Sequence, residues 1–517
     1  MSNIHPRGLC CFYALIISFS VAAQHHYDNV WIFSSVNGAV KADFSSGFPT
    51  IDTIGVRIKF EGGSATICNA EGKLQFYTNG CALYNYRHEK MVNGDTLSSG
   101  YFYNEFCNIP GREQRGYPIT PGSTMIVPWP KRPEEYLVLH KALDELEEPL
   151  NGEPFTIRRF LATHVDMRGN NGRGSVPSKG ILIDDRLAEA PHYLNRHANG
   201  EDWWVVSPLR DTNLYAVYLL DSTGIELYDI QQIGIEDSGF SRGGDQSVFS
   251  PQGDQFYRYC SCEGMQIFDF DRKTGQLSNF QFVEMPIIDR TPPFGNAGGV
   301  GISPSGRFAY VSTVYTIYQY DLWAADIAAS RLTVGVLTNP NNNHPIFAPR
   351  AWNFQLGPDC KLYAYAHNTD AHHVIHYPDE LGLASGWEQE AMQLPFPIFR
   401  DQPAFPNFRL GPLGKESSPC AAPIVSQREV VRQSRQAVVD IYPNPAGSYV
   451  RLALKPFSGL QEGTWRLIDA YGRTVKTIAL RRDELVTLPR EGLPAGVYFW
   501  QVISRGAVLD QGKLVWE

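Results

Sequence analysis

Four histidines crowd one short stretch of this chain: His367, His372, His373 and His376. Neutral imidazoles are common ligands of divalent transition metals, so this group, on a loop and the adjoining strand, is the metal candidate of the sequence. The same stretch falls where the repeat pattern described below puts a hairpin loop, and there the rings are expected to splay into solvent. Other catalytic signatures do not occur: there is no H-E-x-x-H zinc helix, no G-x-S-x-G elbow and no D-x-D-x-D-G calcium loop. Gly298-Gly299-Val300-Gly301 lacks the Gly-Lys-Ser/Thr of a phosphate loop and runs into a Ser-Pro turn instead of a helix. Close backbone approach near the axis of a ring is the expected reason for those glycines. Arg242-Gly243-Gly244-Asp245 carries one glycine too many for an Arg-Gly-Asp tripeptide. Trp203-Trp204 and Tyr101-Phe102-Tyr103 could stack on sugar rings, but strand propensity alone explains them as core. No catalytic residue and no cofactor is assigned.

Nine cysteines are present, and Cys10 and Cys11 fall within an N-terminal leader, which leaves Cys68, Cys81, Cys107, Cys260, Cys262, Cys360 and Cys420. Export through an oxidising compartment allows disulfides, and an odd number leaves one thiol free or paired between molecules. Cys260-Ser261-Cys262 lacks the C-x-x-C spacing of redox and zinc sites, so a buried or disulfide role is expected. Cys81 follows the strand Leu74 to Thr78, and Cys107 stands about one hairpin later, ahead of the strand Thr124 to Val127. Facing each other across a sheet edge, they are expected to form a disulfide.

The elements that must position these residues repeat along the chain. Asn69-Ala-Glu-Gly72-Lys-Leu-Gln-Phe-Tyr77 recurs in style as Ser250-Pro-Gln-Gly253-Asp-Gln-Phe-Tyr257. It returns as Ser303-Pro-Ser-Gly306-Arg-Phe-Ala-Tyr310 and as Gly357-Pro-Asp-Cys360-Lys-Leu-Tyr363. Each is a polar turn, centred on Gly or a replacement, that enters a strand with alternating aromatics. Second strands such as Gln266 to Asp271 and Ile317 to Leu322 follow, and turns such as Asp271 to Gly275 and Asp221 to Gly224 close further hairpins. A period of about 45 to 55 residues is that of propeller blades with long loops. One blade cannot bury both faces, so the blades must stack and close as a ring. The expectation is an all-β chain: a β-propeller of about seven blades over 24–413, a Ser-, Pro-, Gln- and Arg-rich linker over 414–437, and a small Ig-like β-sandwich over 438–517. An aromatic content of 12%, with 46 Gly and 35 Pro, suits many short strands. The formal charge of −9 offers no basic face for nucleic acid.

Residues 1–23 carry Arg7, an apolar run from Leu9 to Val21, and Val21-Ala22-Ala23, the pattern of a signal peptide cut before Gln24. No later segment offers about 18 consecutive apolar residues, so no transmembrane segment is expected. At the other end stand Ile441-Tyr442-Pro443-Asn444-Pro445, Leu467-Ile-Asp469-Ala-Tyr-Gly472-Arg, Leu493-Pro-Ala-Gly496-Val-Tyr498, and Gly512-Lys513-Leu-Val. That set resembles the type A C-terminal sorting domain of the type IX secretion system of Bacteroidetes. The resemblance implies passage through that system's translocon, removal of the domain by a sortase-like protease, and a cell-surface or extracellular destination. Trp31-Ile-Phe33, Asp43-Phe-Ser-Ser-Gly-Phe-Pro49, Phe76-Tyr-Thr-Asn-Gly-Cys81 and Pro406-Asn-Phe-Arg-Leu-Gly-Pro-Leu413 resemble an uncharacterised propeller-like region found ahead of such domains. No activity comes with that resemblance, and Cys360 departs from it where the turn usually has Gly.

Two functions are therefore carried forward. One is a secreted or surface propeller that binds a protein or glycan through loops on one face of the ring. The other is a propeller hydrolase or lyase with its active site in the central channel, since this fold hosts both.

Overall fold

The computed structural model describes residues 26–35, 38–56, 58–60, 62–109, 116–150, 153–189, 191–236, 246–260, 264–284, 298–313, 315–338, 350–367, 369–398, 405, 439–454, 462–469, 473–481, 485–504 and 507–517. The chain divides into two compact units, Met1–Ala421 and Ala422–Glu517.

In the first unit the described strands form seven antiparallel sheets. They are β1 (Val30–Ser35), β2 (Gly38–Asp43) and β3 (Thr50–Ile54); then β4 (Ala65–Cys68), β5 (Leu74–Thr78) and β6 (Leu83–Asn85). Next come β7 (Thr124–Pro128), β8 (Glu135–Leu150), β9 (Glu153–Asp166) and β10 (Ser175–Asp184), followed by β11 (Tyr193–Arg196), β12 (Trp203–Pro208), β13 (Leu214–Leu220) and β14 (Ile225–Gln232). The fifth sheet is β15 (Gln246–Phe249), β16 (Gln255–Cys260), β17 (Gly264–Asp271) and β18 (Gln276–Glu284). The sixth is β19 (Gly299–Ile302), β20 (Phe308–Ser312), β21 (Thr316–Asp321) and β22 (Leu332–Val336). The seventh is β23 (Arg350–Leu356), β24 (Leu362–His367), β25 (Thr369–Ile375) and β26 (Trp387–Ile398).

Each sheet meets the next, and the last meets the first: β15 touches β19, β19 touches β23, and β26 touches both β1 and β3. This closed ring of small antiparallel sheets is a β-propeller. Apolar seams fill the junctions. Tyr257 and Tyr259 pack with Val300 and Tyr320 between the fifth and sixth sheets, and Trp31 and Phe33 pack with Tyr363 and Tyr365 where the ring closes. Each such fully buried aromatic stabilises the ring by about 2 to 3 kcal/mol. Phe405 lies in the closing seam, its ring centroid 4.9 Å from those of Trp31 and His372.

The repeated turns are one structure. Asn69, Ser250, Ser303 and Gly357 each donate their N–H across the loop, to the carbonyls of Lys73, Gln255, Phe308 and Lys361. Gly72, Gly253, Gly306 and Cys360 each donate back to that first residue, all with left-handed φ (+81°, +74°, +78° and +68°). His197 to Asp202 makes the same turn in the fourth sheet, with Gly200 at φ +77°.

In the second unit, β27 (Val439–Tyr442), β28 (Tyr449–Leu454) and β31 (Leu485–Pro489) make one sheet. The other holds β29 (Glu462–Ile468), β30 (Thr474–Arg481), β32 (Gly496–Ser504) and β33 (Ala507–Trp516), in the order β30-β29-β32-β33. Val450, Leu452, Trp465, Leu467, Val502, Leu514 and Trp516 form the core they share.

Candidate functional site

The sequence motifs of the second unit converge on its last strand. Asn444 donates through its amide nitrogen to the Lys513 carbonyl at 2.7 Å and accepts the Val515 N–H at 2.9 Å. Ala446 extends the pairing, donating to Val515 O at 2.7 Å and accepting from the Glu517 N–H at 2.9 Å. Tyr442, Pro443 and Pro445 carry Asn444 into this position, with Tyr442 itself 46% exposed. The Lys513 side chain points to solvent. Gly496 opens β32, and two residues later Tyr498 is buried with its hydroxyl donating to Pro494 O at 3.0 Å. Asp469 closes a separate turn, its carboxylate accepting from the Arg473 N–H and Nε, both at 2.9 Å. Gly472 lies outside the described residues. Asn444 and Lys513, about seventy positions apart, are thus one stitched feature, and Asp469 serves its own hairpin.

The histidine group corrects the expectation of a solvated loop. His372 and His373 lie in the middle of β25 and are fully buried. Successive side chains on a strand face opposite ways. His372 packs among Phe33, Tyr365 and Phe405, with Nδ1 accepting the Ala366 N–H at 3.1 Å. His373 turns towards Trp387, accepts the Glu390 N–H at 3.0 Å and donates to Arg350 O at 3.3 Å. Burial pushes both imidazoles down, to about 3 for His372 and about 4 for His373, so they stand neutral in the core. His376, past the strand end, donates to Glu388 at 2.9 Å. The His367 side chain lies outside the described residues. Among the described residues no group of three or more His, Cys, Asp or Glu is arranged to hold a metal ion.

Other singled-out residues fall into the core or its edge. Trp203 and Trp204 are buried on opposite faces of β12. Gly298, Gly299 and Gly301 sit where a Cβ would come within 2.2 Å of Ser312 O, 2.6 Å of Asn353 Cα and 2.6 Å of Phe354 Cβ. These are close approaches within the sixth sheet and to the seventh. Cys81 and Cys107 are joined by a disulfide, Cα to Cα 5.4 Å. Around it Phe102, Tyr117, Ile119, Leu143, Phe155 and Ile157 form a small core, with Tyr101 half-exposed on Phe155. The β8–β9 hairpin outgrows its neighbour β7 and leans on this knot. Cys260 and Cys360 each take part in a disulfide, and Cys68 is a buried free thiol whose pKa burial raises. Cys262, Cys420, the Arg242 to Asp245 stretch, residues 1–23 and the linker lie outside the described residues.

One buried cluster escaped the sequence reading. Lys141, on β8, donates to Glu189 O and Ser207 Oγ, both at 2.6 Å, and to Pro191 O at 3.4 Å. Burial pushes its ammonium down to about 7, against the pull of the Glu189 and Asp184 carboxylates. An amine beside a hydroxyl is a base–nucleophile pairing in principle. Here Lys141 and Ser207 are 2% and 1% exposed, so no substrate reaches them. The pair instead pins the crossover between the third and fourth sheets, which Arg258 also holds through Glu189. Its sequence signal, His140-Lys141 inside an apolar strand, reads equally as a solvated position.

Residues 440–516 match the family described as secretion system C-terminal sorting domain. No curated protein matches the chain. Among solved structures the chain is similar to a protein from Lactobacillus plantarum, at 14% identity and a TM-score of 0.42 over 72% of this chain and 98% of that one. It is similar to a gluconolactonase from Xanthomonas campestris at 11% identity, TM-score 0.28, over 66% and 93% of the two chains. The Dos1 propeller gives 11% identity, TM-score 0.33, and 66% and 91% coverage. At these identities and scores the likenesses say nothing of activity. Residues 440–516 are a type IX sorting module, which directs the chain to the cell surface or the extracellular space. Among the described residues no helix is long and apolar enough to cross a membrane.

Proposed function

We propose that the chain is an exported propeller whose ring binds a protein or glycan partner outside the cell. Residues 1–23 act as the leader, the sorting module engages the translocon, and a sortase-like protease cuts in the 414–437 linker. The sorting module carries this reading, because it fixes the compartment in which any partner must be met. Support for binding over a central-channel hydrolase or lyase comes from how the candidate acid–base groups are spent. His140 hydrogen-bonds Ser98 and Thr163, His373 bridges two strands, and Lys141 pins a crossover, each inside a packed seam.

Deleting Val438 to Glu517 should leave the ring folded but held in the periplasm, while the full chain reaches the surface and photo-crosslinks there to a protein or glycan. Truncated protein found at the surface at normal levels would refute the export reading. Turnover of glycosides, esters or uronates by the purified chain, with no partner trapped, would favour the hydrolase or lyase instead.

A further inference from the structure

Trp323 is 68% exposed in the turn after β21, yet it is held. Its backbone N–H donates to Asp321 Oδ1 at 3.1 Å, and the Arg307 guanidinium lies 5.5 Å from its ring centroid and 4.9 Å from that of buried Phe308. Arg307 is fixed by Asp321, with two Nε contacts of 3.2 Å and one Nη2 contact of 2.7 Å. The indole therefore has a cation on one side while most of its surface stays open to solvent.

The neighbours continue the feature into the seventh sheet. Ser305 Oγ accepts the Arg307 N–H at 3.2 Å and donates to Asp379 Oδ1 at 2.5 Å. Two residues before Asp379 stands Tyr377, 63% exposed. The loop carrying both is tied down, since Tyr310 Oη donates to Pro378 O at 2.8 Å and Gln319 Nε2 to Glu380 O at 2.7 Å.

Resting on the binding function proposed above, we infer that Trp323, Arg307, Ser305, Asp379 and Tyr377 form a strip for a neutral oligosaccharide. A pyranose ring has an apolar C–H face and a rim of hydroxyls. Held aromatic rings meet the first, and the fixed hydroxyl, carboxylate and guanidinium groups between them meet the second. Asp321 cancels the Arg307 charge, and Asp379 and Glu380 in a chain of net charge −9 disfavour a polyanionic glycan. A protein interface would instead be built on a contiguous apolar core. The exposed Leu381 and Leu383 on the same loop are the residues such a partner would use.

Affinity electrophoresis of the purified full chain through gels containing laminarin, xylan, galactomannan or polygalacturonate tests this. At least one neutral polysaccharide should retard the chain. Trp323→Ala should weaken that binding about tenfold or more, Tyr377→Ala should weaken it less, and Leu383→Asp should leave it unchanged. Equal retardation of Trp323→Ala would overturn the strip while leaving glycan binding standing. If no neutral polysaccharide retards the chain, the strip is overturned, and a crosslinked protein that is lost in Leu383→Asp would assign this edge to a protein while the binding function stands.

Discussion

At the scale of single residues, His372 and His373 differ by what surrounds them. Adjacent in sequence, they face opposite sides of β25, one into an aromatic seam and the other into two backbone hydrogen bonds. Removing the His373 ring deletes a buried side chain and takes away the acceptor of the Glu390 N–H. Cavity and desolvation terms of that kind total about 2 to 4 kcal/mol. His373→Ala should therefore lower the urea midpoint of the propeller markedly, whereas His376→Ala, which removes only a half-exposed contact with Glu388, should shift it little. Equal midpoints for the two variants would contradict the burial described here. Nothing in the local sequence separates these residues: alternation predicts a strand or a solvated hairpin equally well, and only the neighbouring sheet decides.

At the scale of elements, what was legible is what is local. The turn from Asn69, Ser250, Ser303 or Gly357 into its strand could be read directly, because its polar residues and left-handed fourth position are chemical demands met within a few residues. The same turn at His197 to Asp202 was present but unread, since His in place of Ser or Asn hides it. The sorting module was legible for a similar reason: short pieces in fixed order, although the bond from Asn444 to Lys513 that explains their coexistence is non-local. The Lys141 pin was not legible, because its acceptors come from a crossover and another sheet. Cys360 shows both kinds of information at once. It occupies the left-handed position at φ +68° and is also disulfide-bonded, so the bond is kept at a backbone cost that glycine would not carry. Cys360→Ser and Cys360→Gly both lose the disulfide, and only the second relieves the backbone. Cys360→Gly should be the more stable of the two by about 1 kcal/mol in urea titration, and the reverse order would show that the turn tolerates a side chain there without strain.

At the scale of the whole molecule, the two units differ in how they should answer acid. Among the described residues the propeller buries four imidazoles, His140, His192, His372 and His373, and burial is the leading cause that holds each well below the ordinary histidine value. Residues 439–517 contain no histidine at all. A depressed imidazole is neutral in the folded ring but takes up a proton in the unfolded chain once pH falls below about 6.5. Between that value and the folded ones, about 3 for His140 and His372 and about 4 for His373, the unfolded state binds more protons, so stability falls as pH falls. At pH 5 each of these three groups costs about 2 kcal/mol, and together about 6 kcal/mol, which is comparable to the whole stability of a typical domain, and His192 acts in the same direction. Carboxylates such as Asp321, held low first by the hydrogen bond from Arg307, add their loss only at still lower pH. Calorimetry of the full chain from pH 7.5 downward should therefore show the propeller transition dropping steeply through the histidine range. The transition of the sorting module should stay nearly level until its carboxylates titrate. A propeller transition that stays flat to pH 5, or two transitions that fall in parallel, would mean that these imidazoles can be protonated in the folded ring and that its seams are wetter than the packing implies.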